Sequence, residues 1–227
     1  MSQKLTILFD LDGTLVNTAP DLMHAHNHVM KKYGYDERKL SDIKKLAGRG
    51  SKVMLTKSMH EIAELTGKIK KTDDVIEEMT KEFVDYYSKN IIKESTLKNG
   101  ALDFLTWCKK NSISMGVCTN KQEHLSIDLL KKIKIHDFFD YVAGGNTFNH
   151  NKPNPKHLTE TVEIIGGDVK KTLMIGDSET DSNASKAAGI PFILIEDGYT
   201  EKKTNEIYHD HLVKDFINLE KIIQKYL

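Results

Sequence analysis

Two carboxylates, Asp10 and Asp12, stand two positions apart in Phe9-Asp10-Leu11-Asp12-Gly13-Thr14-Leu15, directly behind the apolar run Leu5-Thr6-Ile7-Leu8. In extended backbone alternate side chains leave on the same side, so both acids can face one way. Like charges so close repel unless a cation neutralises them or one of them holds a proton. The pattern therefore suits a metal site in which one carboxylate is a nucleophile and the other moves a proton. Gly13 lets the backbone turn there or come close to a ligand. A calcium loop of the EF-hand kind fits poorly, because it needs further oxygen ligands and a Glu at its twelfth position. Counted from Asp10 that position is Asp21, and Leu15 and Val16 interrupt the ligand run.

Five short strand-like segments recur along the chain: Leu5–Phe9, Met115–Cys118, Tyr141–Ala143, Leu173–Ile175 and Phe192–Ile195. Helical patterns separate them at Ala101–Asn111, Leu125–Ile133, Pro155–Ile165 and Asp181–Ala188, with a final amphipathic helix at Leu219, Ile222, Ile223 and Tyr226. Strands alternating with helices predict a parallel sheet covered on both faces. Pro155 is a good helix start and Gly189 a good stop.

In such sheets ligands bind beyond the carboxyl ends of the strands. The residues just past each strand are Asp10 and Asp12, then Thr119-Asn120, then Asn151-Lys152-Pro153 after a loop, and Gly176-Asp177-Ser178-Glu179-Thr180-Asp181. One crevice thus gathers acids, a hydroxyl and a lysine. The chemistry that fits is phosphoryl transfer through an aspartyl-phosphate. Asp10 would attack phosphorus, and Asp12 would protonate the leaving oxygen and then deprotonate the hydrolytic water. Thr119 would bond a phosphoryl oxygen and Lys152 would balance charge. Asp177 and Asp10 are hard oxygen ligands of the kind Mg²⁺ prefers.

Between the first two strands lies a helical insertion of about eighty residues, too long for a crossover. It opens at Thr18-Ala19-Pro20-Asp21, a capping-box-like start, with Leu22, Ala25, Val29, Met30 and Tyr33 on one face and Gly34 as the stop. A second face reads Ile76, Met79, Phe83 and Tyr86 behind the cap candidate Thr72, and Lys68–Lys71 with Asp73 and Asp74 reads as a solvated loop. The expected organisation is an α/β core of residues 1–16 plus 96–227 and an all-helical cap of residues 17–95, hinged near Val16–Thr18 and Glu94–Asn99.

Asp10-Leu11-Asp12-Gly13-Thr14-Leu15, Val117-Cys118-Thr119-Asn120, Lys152-Pro153-Asn154-Pro155 and Gly176-Asp177-Ser178-Glu179-Thr180-Asp181 resemble, in order, the four motifs of the haloacid dehalogenase superfamily. The match spans nearly the whole chain. Thr18-Ala19-Pro20-Asp21, Ala47-Gly48-Arg49-Gly50, Gly144-Gly145 and Asp197-Gly198-Tyr199 look most like its phosphoglycolate phosphatase branch. The resemblance implies a Rossmann-like core and a cap that closes over a small phosphorylated metabolite. It implies Mg²⁺ held by Asp10, the backbone carbonyl of Asp12, and Asp177, with Asp181 a ligand or a partner behind the ligands. Asn17 stands where an acid is expected and Asn146 where Asp is common. Dehalogenases of the superfamily lack the second acid supplied here by Asp12. β-Phosphoglucomutase, pyrophosphatase and sugar- or nucleotide-phosphate phosphatase are the rival activities. A phospho-accepting receiver domain is disfavoured by its acid placement and by the insertion.

Arg49 is expected to read the substrate: of the 33 basic residues only Arg38 and Arg49 are arginine, and Gly48 and Gly50 flank it. A guanidinium meets carboxylate or phosphate oxygens bidentately. Zero formal charge and a pI near 7.2 offer nothing to nucleic acid. Two cysteines, no apolar run of bilayer length and no signal-type start predict a soluble cytoplasmic protein. His24 and His28, four apart on a helix, lack a third metal ligand. His209 and His211 read as surface residues, Cys118 as core and Ser178 as a helix N-cap.

Overall fold

The structure, a computed structural model, describes residues 4–66 and 73–227; for Arg49, residues 62–66 and Asp73 the backbone alone is described. The expected loop at Lys68–Lys71 and the cap candidate Thr72 lie outside the described residues. The chain runs β1 (Thr6–Phe9), β2 (Val16–Asn17), α1 (Ala19–Lys32), α2 (Leu40–Leu46), α3 (Ser51–Thr66) and α4 (Asp73–Lys89). It continues with β3 (Thr96–Leu97), α5 (Ala101–Lys110), β4 (Ser114–Cys118), α6 (Glu123–Lys132), β5 (Tyr141–Ala143) and α7 (Lys156–Ile165). The last elements are β6 (Thr172–Gly176), α8 (Glu179–Ala188), β7 (Phe192–Ile195), β8 (His211–Val213) and α9 (Glu220–Ile223).

Six strands form a parallel sheet in the order β5-β4-β1-β6-β7-β8, a doubly wound Rossmann-like α/β core. Every residue of β1 and β6 is buried, as expected where helices cover both faces. Side-chain alternation splits β1 between two cores. Ile7 and Phe9 face one with α5 and α6, where the Phe9 ring meets those of Phe104, Phe139 and Phe216. Leu8 faces the other with Met174, Phe192 and the α7 residues Leu158 and Val162. Each such side chain taken from water contributes roughly 1.5–3 kcal/mol. The chain leaves β1 for β4 on one side and returns to β6 on the other, so the order reverses at β1 and opens a crevice at its carboxyl end.

All the helix between β2 and β3 is inserted at that end, with α1 packed on α2 and α4, and α3 on α4. The short strands β2 and β3 pair antiparallel, Val16 with Leu97 and Asn17 with Thr96, and so bring the entry and exit of the insertion together. Asp21 fastens the same junction by accepting from the N–H groups of Glu94 and Ser95 and, at 2.6 Å, from the Ser95 hydroxyl.

Several expectations shift in detail. Thr18 does not cap α1; its hydroxyl donates to Asp12 Oδ1 at 2.6 Å. The inner face of α4 is Ile76, Met79, Phe83 and Tyr87, while Tyr86 is half-buried and stacks on His28. α4 starts at Asp73, so Asp74 is helical and exposed. His24 and His28 each pair with a glutamate, Glu94 and Glu82. His211 is a half-buried strand residue whose ring meets the Tyr226 hydroxyl. Cys118 is buried core, and burial pushes its thiol up to about 12. No helix among the described residues is long and apolar enough to cross a membrane.

Candidate active site

The strand ends deliver the acids. β1 hands on to Asp10, whose N–H still bonds Ile175 O of β6, and the chain then folds back on itself through Gly13 N–H to Val16 O. Gly13 has a φ of +87°, and a Cβ there would overlap the Asp177 carboxylate, so only glycine lets the two loops close on each other. Thr14 donates to Asp177 Oδ1 at 3.1 Å and the Tyr199 N–H to Asp177 Oδ2 at 2.6 Å. Asp10, Asp177 and Asp181 each offer a carboxylate oxygen within 4.8 Å of the others, all three buried.

Lys152, past β5, sits inside this cluster. Its Nζ donates to Asp10 Oδ1 at 2.9 Å and to Asp181 Oδ1 at 2.6 Å. The other oxygen of Asp181 starts α8, accepting from the N–H groups of Asp177 and Ser178 and from the Ser178 hydroxyl at 2.7 Å. Ser178 is thus the N-cap, as its position suggests. His157 Nδ1 accepts from the Lys152 N–H at 3.2 Å and fixes the backbone that carries the ammonium.

Burial raises the Asp10 carboxyl to about 6, against the pull of Lys152 and with Asp181 and Asp12 pushing the same way. Asp177 is raised well above the carboxylate range, by burial first and then by Asp10 and Asp181. Burial opposes the Lys152 charge, yet Asp10 and Asp181 overcome it and hold the ammonium above its ordinary value.

Asp12 has a partner that sequence reasoning missed. Lys121 Nζ lies 2.9 Å from both Asp12 oxygens, and its ammonium stands over the Tyr87 ring at 4.4 Å. Its only sequence signal is its place two residues after Thr119. Thr119 is buried; its N–H bonds Ala143 O, and its hydroxyl oxygen accepts from the Lys121 N–H, which leaves the hydroxyl proton to donate. Asn120 spends its amide nitrogen on Lys152 O at 3.0 Å, and its buried Oδ1 has no protein partner. Asn17, in place of the expected acid, accepts from the Tyr199 hydroxyl, and Asn146 Oδ1 accepts from the Glu123 N–H.

Asp10, Asp12, Thr119, Asn120 and Lys121 line one cavity of about 50 Å³ roofed by Leu22, Met54, Phe83 and Tyr87 of the inserted helices. Arg49 belongs to the turn Ala47–Arg49 at its rim, next to the lining residues Gly48, Gly50 and Ser51; its side chain lies outside the described residues. Lys152, Asp177 and Asp181 stand behind Asp10, away from that roof.

Four carboxylates therefore share this site with two ammonium groups, Lys121 and Lys152. Two negative charges are left over in a buried place, which a divalent cation would neutralise. The free donors are hard oxygens, and the set fits Mg²⁺. Asp181 accepts four donors, the Lys152 ammonium among them, whereas Asp177 accepts one neutral donor at each oxygen and Asp10 accepts Lys152 at one oxygen. Asp10 and Asp177 thus keep lone pairs for a cation, and Asp181 fits as the group that holds Lys152.

The model of haloacid dehalogenase-like hydrolases matches residues 7–195. A phosphoglycolate phosphatase of Mesorhizobium japonicum is 34% identical over 92% of this chain and 90% of its own length. One of Agrobacterium fabrum is 33% identical over 96% and 94%. The crystal structure of a predicted phosphoglycolate phosphatase from Haemophilus somnus superimposes with a TM-score of 0.92 at 27% identity, covering 99% of this chain and all of that one. A β-phosphoglucomutase of Clostridium difficile, 22% identical with a TM-score of 0.78 and covering 98% of this chain and 97% of that one, shares the fold. The acids beyond β1 and β6, the lysine beyond β5 and these likenesses together place the chain in the haloacid dehalogenase-like hydrolase family.

Proposed function

We propose that the protein is a Mg²⁺-dependent phosphomonoester hydrolase of the cytoplasm, a phosphoglycolate phosphatase that works through an aspartyl-phosphate on Asp10. The observation that carries the reading is Asp10 itself, a carboxylate held by Lys152 on one side and opening into the cavity on the other. The names of the curated relatives support the substrate.

Mg²⁺ bound by Asp10, Asp177 and the Asp12 carbonyl would supply neutralising charge and Lewis acidity toward a phosphoryl oxygen. Asp10 attacks phosphorus; the P–O bond to the alcohol breaks, and the leaving oxygen takes a proton from Asp12. Asp12, now a carboxylate, takes a proton from water as that water attacks the aspartyl-phosphate. Breaking the P–O bond to Asp10 releases phosphate and restores the carboxylate. Thr119 donates its hydroxyl proton to a phosphoryl oxygen. Lys152 has a third N–H beyond those given to Asp10 and Asp181, and it balances the equatorial charge. Asn120 keeps the Lys152 loop in place. Residues 17–95 act as a cap that excludes water, and Arg49 brings it a cation for the substrate.

A panel with Mg²⁺ decides the substrate: phosphoglycolate should exceed sugar phosphates, nucleotides and pyrophosphate in kcat/KM. A preference for any of the others overturns the assignment within the family.

A further inference from the structure

Asp12 is engaged at both oxygens in this structure. Both of its oxygens accept from Lys121 Nζ at 2.9 Å, and Oδ1 accepts again from the Thr18 hydroxyl at 2.6 Å. Oδ1 is filled and Oδ2 keeps one site beside the ammonium, so a leaving oxygen must compete with Lys121 for it. Lys121 must withdraw before Asp12 can act.

Lys121 is also placed to meet substrate. Its side chain is 5% exposed, yet it lines the cavity, and among the described side chains it is the only cation that does so. Below it the Tyr87 ring keeps the ammonium company, and the buried Tyr87 hydroxyl has no hydrogen-bond partner. A buried donor left unpaired is costly, which makes the hydroxyl a second group awaiting an acceptor. The cavity of about 50 Å³ holds a few waters at most, so an ester enters only as side chains or helices give way. Leu22, Met54, Phe83 and Leu125 make one side of the wall apolar, and Ser51 and Gln122 add polar lining that carries no charge.

We propose that Lys121, with Tyr87, binds a carboxylate on the substrate, and that this exchange of partners frees Asp12 for proton transfer. The inference rests on the phosphomonoesterase reading and makes Lys121 the specificity residue of that site. A short phosphomonoester carrying a carboxylate releases its own general acid. A neutral ester of the same size leaves Asp12 locked, so selectivity appears in kcat and not in KM alone.

The test pairs phosphoglycolate with ethyl phosphate, which keeps the poor alkoxide leaving group and lacks the carboxylate. The wild type should show a kcat for phosphoglycolate at least tenfold higher. Lys121→Met should lower kcat/KM for phosphoglycolate tenfold or more while raising that for ethyl phosphate, and Lys121→Arg should restore part of the preference. Thermal unfolding of each variant separates a lost fold from lost recognition. Equal losses on both esters, or no change on either, overturn the proposal and leave the phosphatase reading intact. A wild type that hydrolyses neutral esters but no carboxylated one overturns it too. Turnover of another carboxylated ester such as phospholactate, with phosphoglycolate untouched, overturns the phosphoglycolate assignment while the role of Lys121 stands on that ester.

Discussion

The hydroxyl of Tyr199 donates to Asn17 Oδ1 at 2.9 Å and accepts from the Ala19 N–H at 2.7 Å. The N–H of the same residue bonds Asp177. One residue beyond β7 thus ties the entry of the inserted helices, through its side chain, to a carboxylate of the proposed metal site, through its backbone. Asn suits position 17: an ionised acid would add another negative charge to a site that already carries four carboxylates. Tyr199→Phe leaves the Ala19 N–H and the Asn17 amide oxygen without this partner. The expected loss is about 1–2 kcal/mol, read as a fall of roughly 2–8 °C in Tm. A wild-type Tm would show that water replaces the hydroxyl at no cost.

The duties proposed for Asp10 and Asp12 differ, and a trapped intermediate tells them apart. Asp10→Asn should abolish labelling by a reactive phosphodonor, because the amide is no nucleophile. Asp12→Asn should still accept phosphate from a donor with a good leaving group and fail to release it, so intact mass shows an adduct of one phosphoryl group. A phosphorylated Asp10→Asn protein, or an adduct mapped to serine, contradicts the assignment.

Much of this was legible in sequence because chemistry interrupts the hydrophobic pattern. Buried strands are apolar on both faces, so the first acid or hydroxyl past each one marks the crevice: Asp10, Thr119, Asp177. What stayed hidden depends on contacts between distant segments. Lys121 reaches back 109 residues to Asp12, and Tyr199 reaches 182 residues to Asn17; no local spacing records either. Strands of two residues, β2 and β3, are too short for a period. On α4 the helical repeat admits both Tyr86 and Tyr87; Tyr87 is buried under the Lys121 ammonium, and Tyr86 stacks half-buried on His28 of α1. Thr18 has the chemistry of a cap, but its backbone is already helical, not extended as a capping residue's usually is, and its hydroxyl is turned toward Asp12.

Metal removal should abolish turnover. Chelation should bring activity below detection and added Mg²⁺ should restore it; full activity in metal-free buffer refutes the dependence. Asp181→Asn sharpens the point, since Asp181 holds Lys152 and does not line the cavity at Asp10 and Asp12. Loss of a partner behind the ligands typically costs 10–100-fold in metal affinity or activity. The Mg²⁺ concentration for half-maximal activity should rise by roughly tenfold or more, while Asn keeps an oxygen for the start of α8. A lower Tm with an unchanged Mg²⁺ requirement would reduce Asp181 to a helix cap.

Acid should loosen the inserted helices through His26, which is fully buried between α1 and α3. Its Nε2 lies 2.8 Å from Ser58 Oγ and its Nδ1 3.2 Å from Asn27 Oδ1. Asn27 gives its amide nitrogen to Arg38 O and accepts the Arg38 N–H at Oδ1, which fixes the amide's orientation. Nδ1 therefore carries the proton and Nε2 accepts from Ser58, a neutral ring. Burial lowers the pKa from 6.5 to about 4, Arg38 adds to that, and the Asn27 bond opposes it. The unfolded chain binds a proton below about 6.5 and the folded one only near 4, so stability falls as pH drops through that window. The change from about pH 7 to about pH 4.5 is about 2 kcal/mol. His157, lowered to about 3 by burial, costs stability from the same onset near 6.5 and continues down to about 3, and Asp10, raised to about 6, acts against both in the metal-free protein. A difference measurement isolates His26. His26→Gln should be less stable than wild type near neutrality, and the gap should close by about 2 kcal/mol toward pH 4.5. A gap that stays constant across the series would mean that His26 takes up no proton differently in the folded and unfolded chains.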